Sequence, residues 1–394
     1  MKVIATEKLP IKSWCAAPEA GCIEQAKNLA NLPFAFKHVA LMPDTHQGYG
    51  MPIGGVLAAK GAIVPNAVGV DIGCGMIAAC TNLKAYDLLK DNKDRIKKAM
   101  GVIRVLIPVG FNHHPHAFPS EVLPRADHWW AGAGYICQRE YDSALKQLGT
   151  LGGGNHFIEI QKDGEGGVWV MIHSGSRNLG KQVADHYNEK AKALNAKWHS
   201  SVNPKSDLAF FPLETEEARD YIREMEFCLR FAKTSRAIMM NCALAALGIS
   251  HEDRENLKIY DVHHNYARME NHFGVNVMVH RKGATSARAG EIGIIPGSQG
   301  TASYIVEGLG NPDSFMSCSH GSGRRMGRKE AERSLDLAEE IRKMDDKGIL
   351  HGIRGKHDLD EAAGAYKDID TVMSEQSDLV KIVTRLEPMA VIKG

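Results

Sequence analysis

The amino-acid sequence predicts an α+β fold with a central site built from strand ends and glycine-rich turns. Strand-like and helix-like segments both occur along 394 residues, and 44% apolar with 24% charged content is that of a globular protein in water. The 39 glycines and 18 histidines are clustered. One local design recurs among them: a strand-like run ends in a glycine-rich turn bearing Asp, Cys or His. The clearest case is Val68-Gly69-Val70-Asp71-Ile72-Gly73-Cys74-Gly75-Met76, led in by the strand-forming Ile63-Val64. Glycines on both sides of Cys74 let the backbone approach a ligand closely. A carboxylate and a thiolate three positions apart on such a turn can share a metal, because zinc, manganese and iron accept mixed oxygen, nitrogen and sulfur donors.

Residues 23–31 have helical spacing and stop before Pro33; Val39-Ala40-Leu41-Met42 then reads as a buried strand delivering Asp44-Thr45-His46-Gln47-Gly48-Tyr49-Gly50. Helical patterns cover residues 86–100 and about 129–148. Between them Asn112-His113-His114-Pro115-His116 is broken by proline and reads as a mobile surface loop. In Gly152-Gly153-Gly154-Asn155-His156-Phe157-Ile158-Glu159 the glycines expose backbone N–H groups as an anion nest, and alternation of Phe157 and Glu159 marks a strand starting beside His156. The strand Val168-Trp169-Val170-Met171-Ile172 ends at His173-Ser174-Gly175-Ser176-Arg177. Long amphipathic helices fill 181–198 and 215–247, with a linker or lid around 201–212. Lys258-Ile259-Tyr260 leads to Asp261-Val262-His263-His264-Asn265, and a strand over 275–279 leads to His280-Arg281-Lys282-Gly283. Two further turns, Pro296-Gly297-Ser298-Gln299-Gly300 and Ser319-His320-Gly321-Ser322-Gly323-Arg324, precede a helix over 328–344 whose N-terminus is expected to receive a phosphate.

Lys+Arg of 48 against Asp+Glu of 47 leaves a formal charge of +1, so no global field marks a polyanionic partner and only a local basic groove can serve one. The eight cysteines form no CxxC pair, and Met1-Lys2-Val3-Ile4-Ala5-Thr6-Glu7 is not a secretory leader, which together point to the reducing cytoplasm. No apolar run approaches membrane-spanning length.

Asp71, Cys74, His156, His173 and His264 are five ligand candidates, enough for two cations with the thiolate or the Asp near both. Paired cations are suited to phosphoryl or nucleotidyl transfer. Residues 152–155 and 296–300, with Arg281, Lys282 and Arg324, are candidates to hold phosphates. His320 sits in a different setting and is a candidate nucleophile.

The segments 44–50 and 70–76, Gly154-Asn155-His156-Phe157, His173-Ser174-Gly175-Ser176-Arg177, His263-His264-Asn265, Pro296-Gly297-Ser298 and Ser319-His320-Gly321-Ser322-Gly323-Arg324 resemble the RtcB RNA ligases in order and spacing, and the likeness spans essentially the whole chain. The resemblance implies a single α+β catalytic domain over 1–394. It implies a GTP- and manganese-dependent ligase that joins RNA bearing a 3′-phosphate or 2′,3′-cyclic phosphate to RNA bearing a 5′-hydroxyl, in tRNA splicing or RNA repair, with an archease-type activator as a candidate partner. By the same match, Asp71, Cys74 and His156 would hold one Mn²⁺ and Cys74, His173 and His264 the other, while His320 would carry GMP covalently. Asn155, Glu159, Asn265, Pro296, Gly297, Ser298, Gln299, Ser303, Gly321, Ser322, Gly323, Tyr366 and Lys393 fall on or beside nucleotide-contact positions. Gln299 and Ser322 depart from the residues common in the family, Met and Ala. A dinuclear phosphoesterase would need the same metal ligands but not His320, and an RNA-end sensor would need no turnover.

Overall fold

The computed structural model describes residues 1–125 and 135–394. Seven strands, each antiparallel to its neighbour, form one sheet in the spatial order Lys258–His263, Gly75–Lys84, Gly167–Ser174, Phe157–Lys162, Val380–Lys393, Ser303–Gly308, Ile292–Ile295. Side chains alternate across a strand. Ile77, Ile158, Ile160, Val170 and Ile172 therefore share one face, where they pack with Ile96, Met100 and Ile103 of the helix Ala85–Leu106 and with Met239, Met240 and Leu244 of the helix Glu216–Ala246. Met76, Ala78, Phe157, Trp169 and Met171 take the other face, against Ile294, Ile305 and Leu386.

Register decides where the chemistry lands. Gly75 stands opposite both Ser174 and His263, Met76 opposite His173, His173 opposite Phe157, and Phe157 opposite Lys393. Five strands thus begin or end at one level, and the residues just beyond them, Cys74, His156 and His264, converge at that edge. The second sheet has six strands in the order Lys2–Ile4, Ile11–Ser13, Ala35–His46, Ile53–Ala59, Val275–Lys282, Asn265–His272. His264 alone separates the strand Lys258–His263 of one sheet from Asn265–His272 of the other. Its N–H donates to the Cys74 carbonyl at 2.9 Å and its own carbonyl accepts from the Ala284 N–H at 3.2 Å. A two-stranded piece, Ala284–Ser286 with Ser317–Ser319, delivers His320 to the same junction.

Several expectations need correction. The strand leading to Asp71 is only Ala62–Ile63, because Pro65 opens a 3-10 turn over Pro65–Ala67; the strand that organises the turn is the one leaving it, Gly75–Lys84. The 201–212 segment is neither linker nor lid: Phe211–Pro212 pairs with Ala62–Ile63, Asn195 brackets Phe210 through its amide, and the Asn66 amide donates to the Asp207 carbonyl. The 328–344 helix breaks into Arg328–Ser334 and Leu337–Asp346, since Asp336 caps the second by accepting from the Glu339 N–H at 2.8 Å. Of the 129–148 pattern, Ile136–Arg139 and Tyr141–Gln147 are separate short helices, and residues 129–134 lie outside the described residues. The 112–116 stretch docks on the second of these helices through the His114 N–H, which donates to the Lys146 carbonyl.

Arg281 is not available to a phosphate. It is fully buried, and its guanidinium donates to both carboxylate oxygens of Glu270 at 2.5 and 3.1 Å, to the Ser317 hydroxyl at 2.9 Å and to the Phe315 carbonyl at 3.0 Å. Arg281 therefore pins the segment that leads to His320. Burial alone would raise the Glu270 carboxyl, but His272 and Arg281 hold it at about 2, against 4.5 for an unperturbed group. A folded-state value below the unfolded one means that the pair stabilises the fold fully above pH 4.5, and that this part fades as pH falls towards 2. The difference corresponds to about 3 kcal/mol. Denaturant unfolding of wild type and Glu270→Gln should show a gap of that order, constant from pH 7 to 5 and shrinking below it; a gap independent of pH down to 2 would contradict the pairing.

Candidate functional site

The helix Glu216–Ala246 places one fully buried guanidinium, Arg236, beneath the converging strand ends. It forks onto Asp261 at 2.7 and 2.9 Å and donates to the carbonyls of Gly73 at 3.0 Å and Ser174 at 2.9 Å. Gly73 precedes Cys74 and Ser174 follows His173, so a single side chain fixes both ligand candidates. The approach is close enough to require glycine at 75: a Cβ there would stand 2.2 Å from the Val262 carbonyl oxygen and 3.0 Å from Arg236.

At this edge the Cys74 Sγ lies 3.2 Å from His173 Nε2 and 3.5 Å from His156 Nε2. His156 Nε2 lies 3.3 Å from Asp71 Oδ2, and His173 Nε2 lies 3.4 Å from His264 Nε2. Two donor sets follow, Asp71/Cys74/His156 and Cys74/His173/His264, each with its atoms within 4.8 Å of one another. Donors bound at ~2.0–2.3 Å to one ion stand ~3–4 Å apart, and the four close pairs, at 3.2–3.5 Å, have that spacing. Their protonation fits too. Burial, followed by neighbouring histidine charge, holds His173 and His264 well below the ordinary histidine range, as the neutral imidazoles that offer a lone pair. The His173 Nδ1 lies 3.1 Å from the Asn155 carbonyl, which turns Nε2 towards the thiol. Without a cation, burial and then Asp71 push the Cys74 thiol well above its usual range.

His320 borders the cluster, its ring 4.8 Å from that of His264. Its Nδ1 lies 2.6 Å from Asp44 Oδ2, and its backbone N–H donates to the same oxygen at 3.2 Å. Burial opposes ionisation of Asp44, yet His320 and then His46 hold its carboxyl below the usual range. Two cavities meet at His320. One, of about 470 Å³, runs from His173 and Asn155 past Phe157 and Glu159 to Tyr366 and Lys393. The other, of about 810 Å³, holds Asp71, Cys74, His264, Asn265 and Lys282.

The smaller cavity takes in Asn155, Glu159, Pro296, Gly297, Ser298, Gln299, Gly321, Ser322, Gly323, Tyr366 and Lys393. Asn265 lines the larger one instead. Ser303 lines neither: it is buried behind the wall, accepting from the Gln161 amide at 3.0 Å and from the Gly297 N–H at 3.2 Å. That same Gln161 amide donates to Glu159 at 2.6 Å, while burial pushes the Glu159 carboxyl up to about 8. Lys393, a penultimate residue, is anchored on the last strand and not in a frayed tail. Lys282 donates to the carbonyls of Tyr49 at 2.6 Å and Asn66 at 3.2 Å. The seven-residue helix beginning at Arg328 contributes the Arg328 side chain to both cavities.

Sequence reasoning missed Arg236, Gln161 and Glu361, and singled out Asp44 without a role. Glu361 accepts from Arg324 at 3.1 Å, from Arg328 at 2.9 Å and from the Tyr366 hydroxyl. Nothing in the local sequence of Arg236 or Glu361 distinguishes them from surface charges; only the fold buries them.

Residues 25–394 match the family described as tRNA-splicing ligase RtcB. The chain is 40% identical over 414 aligned positions to the RNA-splicing ligase RtcB of Escherichia coli (strain K12), covering 100% of this chain and 99% of that one. It is 32% identical to the tRNA-splicing ligase RtcB of Thermococcus kodakarensis and 33% identical to that of Pyrobaculum aerophilum, in both cases over 94% of this chain and 91% of the relative. With a family match and full-length relatives at this level, the chain belongs to the RtcB family.

Proposed function

We propose that residues 1–394 form one catalytic domain that joins RNA ending in a 3′-phosphate or 2′,3′-cyclic phosphate to RNA beginning with a 5′-hydroxyl, at the expense of GTP. The observation that carries this reading is the pairing of His320 with the buried Asp44 at the junction of a nucleotide-sized cavity and the Cys/His/Asp cluster. Asp44 accepts at Nδ1, which leaves Nε2 as the nucleophilic nitrogen. Nε2 attacks the α-phosphorus of GTP and pyrophosphate leaves, giving a phosphoramidate between His320 and GMP. An oxygen of the RNA 3′-phosphate then attacks that phosphorus, restoring His320 and capping the RNA end as a diphosphate to guanosine. The 5′-hydroxyl of the second RNA attacks the 3′-phosphorus, loses its proton, and GMP departs. A cyclic end must first be opened by water, since the guanylate needs a terminal phosphate.

Two Mn²⁺ are the cations we assign, one to Asp71, Cys74 and His156 and one to Cys74, His173 and His264. Bound there, they neutralise charge on phosphoryl and hydroxyl oxygens as Lewis acids. Mg²⁺ suits this donor set poorly, because it prefers an all-oxygen octahedron whereas Mn²⁺ tolerates imidazole and thiolate. The chain's own groups do the remaining work. Asn155 holds His173 in place, while Arg324 and Arg328, gathered on Glu361, present cationic groups to the nucleotide cavity. Asn155, Glu159, Asn265, Pro296, Gly297, Ser298, Gln299, Gly321, Ser322, Gly323, Tyr366 and Lys393 are assigned to the nucleotide, with Ser303 acting from behind the wall. We place the protein in the reducing cytoplasm, in keeping with its eight free cysteines, and in tRNA splicing or repair of cleaved RNA, with an archease-type activator as partner. Among the described residues no helix is long and apolar enough to cross a membrane.

Incubation with GTP and Mn²⁺ should yield a GMP-modified peptide containing His320 by mass spectrometry, and His320→Ala should yield none while still binding Mn²⁺. An adduct on another side chain, or persistent guanylation of His320→Ala, would refute the assignment. Elemental analysis should find two Mn²⁺ per wild-type chain, one in His264→Ala and close to none in Cys74→Ala. Cys74→Ala protein that keeps both ions would remove the shared thiolate from the account.

A further inference from the structure

The rim shared by the two cavities carries an aromatic ring held out into solvent. Tyr49 is 77% exposed and, like His320, borders both the cavity of about 470 Å³ and that of about 810 Å³. Tyr86 is equally exposed but borders neither, so exposure alone does not single out Tyr49. The Tyr49 ring and hydroxyl have no ring or hydrogen-bond partner among the described residues, and a ring left in water stabilises the fold little. The backbone beneath it is fixed all the same. The Gln25 amide, on the helix Ala20–Ala30, brackets Gly48, donating to its carbonyl at 2.5 Å and accepting from its N–H at 3.1 Å. The Tyr49 carbonyl accepts from the Met51 N–H at 2.8 Å and from Lys282 Nζ at 2.6 Å. Gly50 takes a φ of +66°, and a Cβ there would stand 2.7 Å from the Asp207 carbonyl oxygen, so the turn requires glycine. Arg324, Arg325 and Arg328 border the larger cavity together with Tyr49. Cations that track a phosphate backbone, joined to an aromatic face for a base, bind single strands irrespective of sequence.

We propose that Tyr49 is the stacking platform for the 3′-terminal nucleobase of the RNA, and that it seats the phosphate of that strand at His320. The choice of strand follows from place. The 3′-phosphate must reach the phosphorus carried by His320 while guanosine fills the smaller cavity, so the nucleoside bearing that phosphate lies beside His320 in the larger one. Phe157 and Tyr366 border the smaller cavity alone; Tyr49 is the one Phe, Tyr or Trp bordering the larger cavity among the described residues. Stacking uses the face of a base and none of its hydrogen-bonding edge, which suits an enzyme that accepts ends of varied sequence. The inference rests on the functional reading in taking a 3′-phosphorylated RNA as the substrate.

The test is equilibrium binding by fluorescence anisotropy, with the Mn²⁺-loaded full chain, no GTP and a fixed salt concentration. The probes are short, internally labelled RNAs with a 5′-phosphate and a 3′-phosphate. One is intact, one lacks the nucleobase of its last nucleotide, and one lacks the nucleobase of its first. Wild type should bind the RNA without its last base roughly tenfold more weakly than the intact one, as the loss of one stacked base requires. It should bind the RNA without its first base as tightly as the intact one. Tyr49→Phe should keep that pattern. Tyr49→Leu, apolar but without an aromatic face, should bind intact RNA roughly tenfold more weakly and no longer distinguish it from RNA without its last base. Wild type binding those two RNAs equally would overturn the proposal whether or not a variant folds. So would a deficit confined to the first base, or a Tyr49→Leu protein with unchanged discrimination. Failure of the functional reading looks different: no covalent adduct with GTP, whatever the RNA-binding ratios.

Discussion

The site depends on one buried cation. Arg236 is removed entirely from water and answers that cost with four acceptors, the two oxygens of the Asp261 fork and the Gly73 and Ser174 carbonyls. A buried charge stripped of its partners costs about 3–5 kcal/mol, so the groups it holds are not free to drift. Those groups belong to the strands Lys258–His263 and Gly167–Ser174 and to the turn that opens the strand between them, and Cys74 follows Gly73 while His173 precedes Ser174. Because His264 crosses between the sheets while its N–H is bonded to the Cys74 carbonyl, the second sheet is tied to the same point.

From that fixed edge the two halves of the chemistry diverge. On one side stand imidazoles and a thiol whose donor atoms lie 3.2–3.5 Å apart, an arrangement that gains only weak hydrogen bonds by itself and strong bonds with a cation. On the other side stands a cavity whose far wall is gathered on Glu361. His320 lies between, fixed by Asp44 from the six-stranded sheet and carried by a segment that Arg281 pins from below. Phosphoryl transfer requires little covalent chemistry from a protein and a great deal of positioning, and this division supplies it.

Much of the candidate site was legible because most of its residues, His264 apart, sit in short glycine-rich runs. Cys74, His156, His173, His264 and His320 each stand at or next to a strand end, Asp71 lies in the turn before Cys74, and the register of the seven-stranded sheet brings the first four to one edge with Asp71 and His320 beside them. What could not be read was whatever depends on long-range burial. Arg281 and Lys282 are adjacent and alike in sequence, yet one is locked to Glu270 in the core and the other reaches a cavity. The 3-10 turn after Ile63, the break at Asp336 and the pairing of Phe211 with Ile63 show the same limit: local pattern found helix and strand but not what tertiary contacts did at their ends. Ser303, which the family match puts on or beside a nucleotide-contact position, stands one layer behind the cavity wall, bonded to Gln161.

The central claim is that one thiolate serves two cation sites at the strand ends Arg236 holds. A crystal of the Mn²⁺-soaked full chain, with diffraction data collected on both sides of the manganese absorption edge, tests it most directly. The account predicts two anomalous peaks flanking the Cys74 sulfur, one beside Asp71 and His156 and the other beside His173 and His264. A single peak, or two peaks of which either lies out of bonding reach of Cys74, would contradict it.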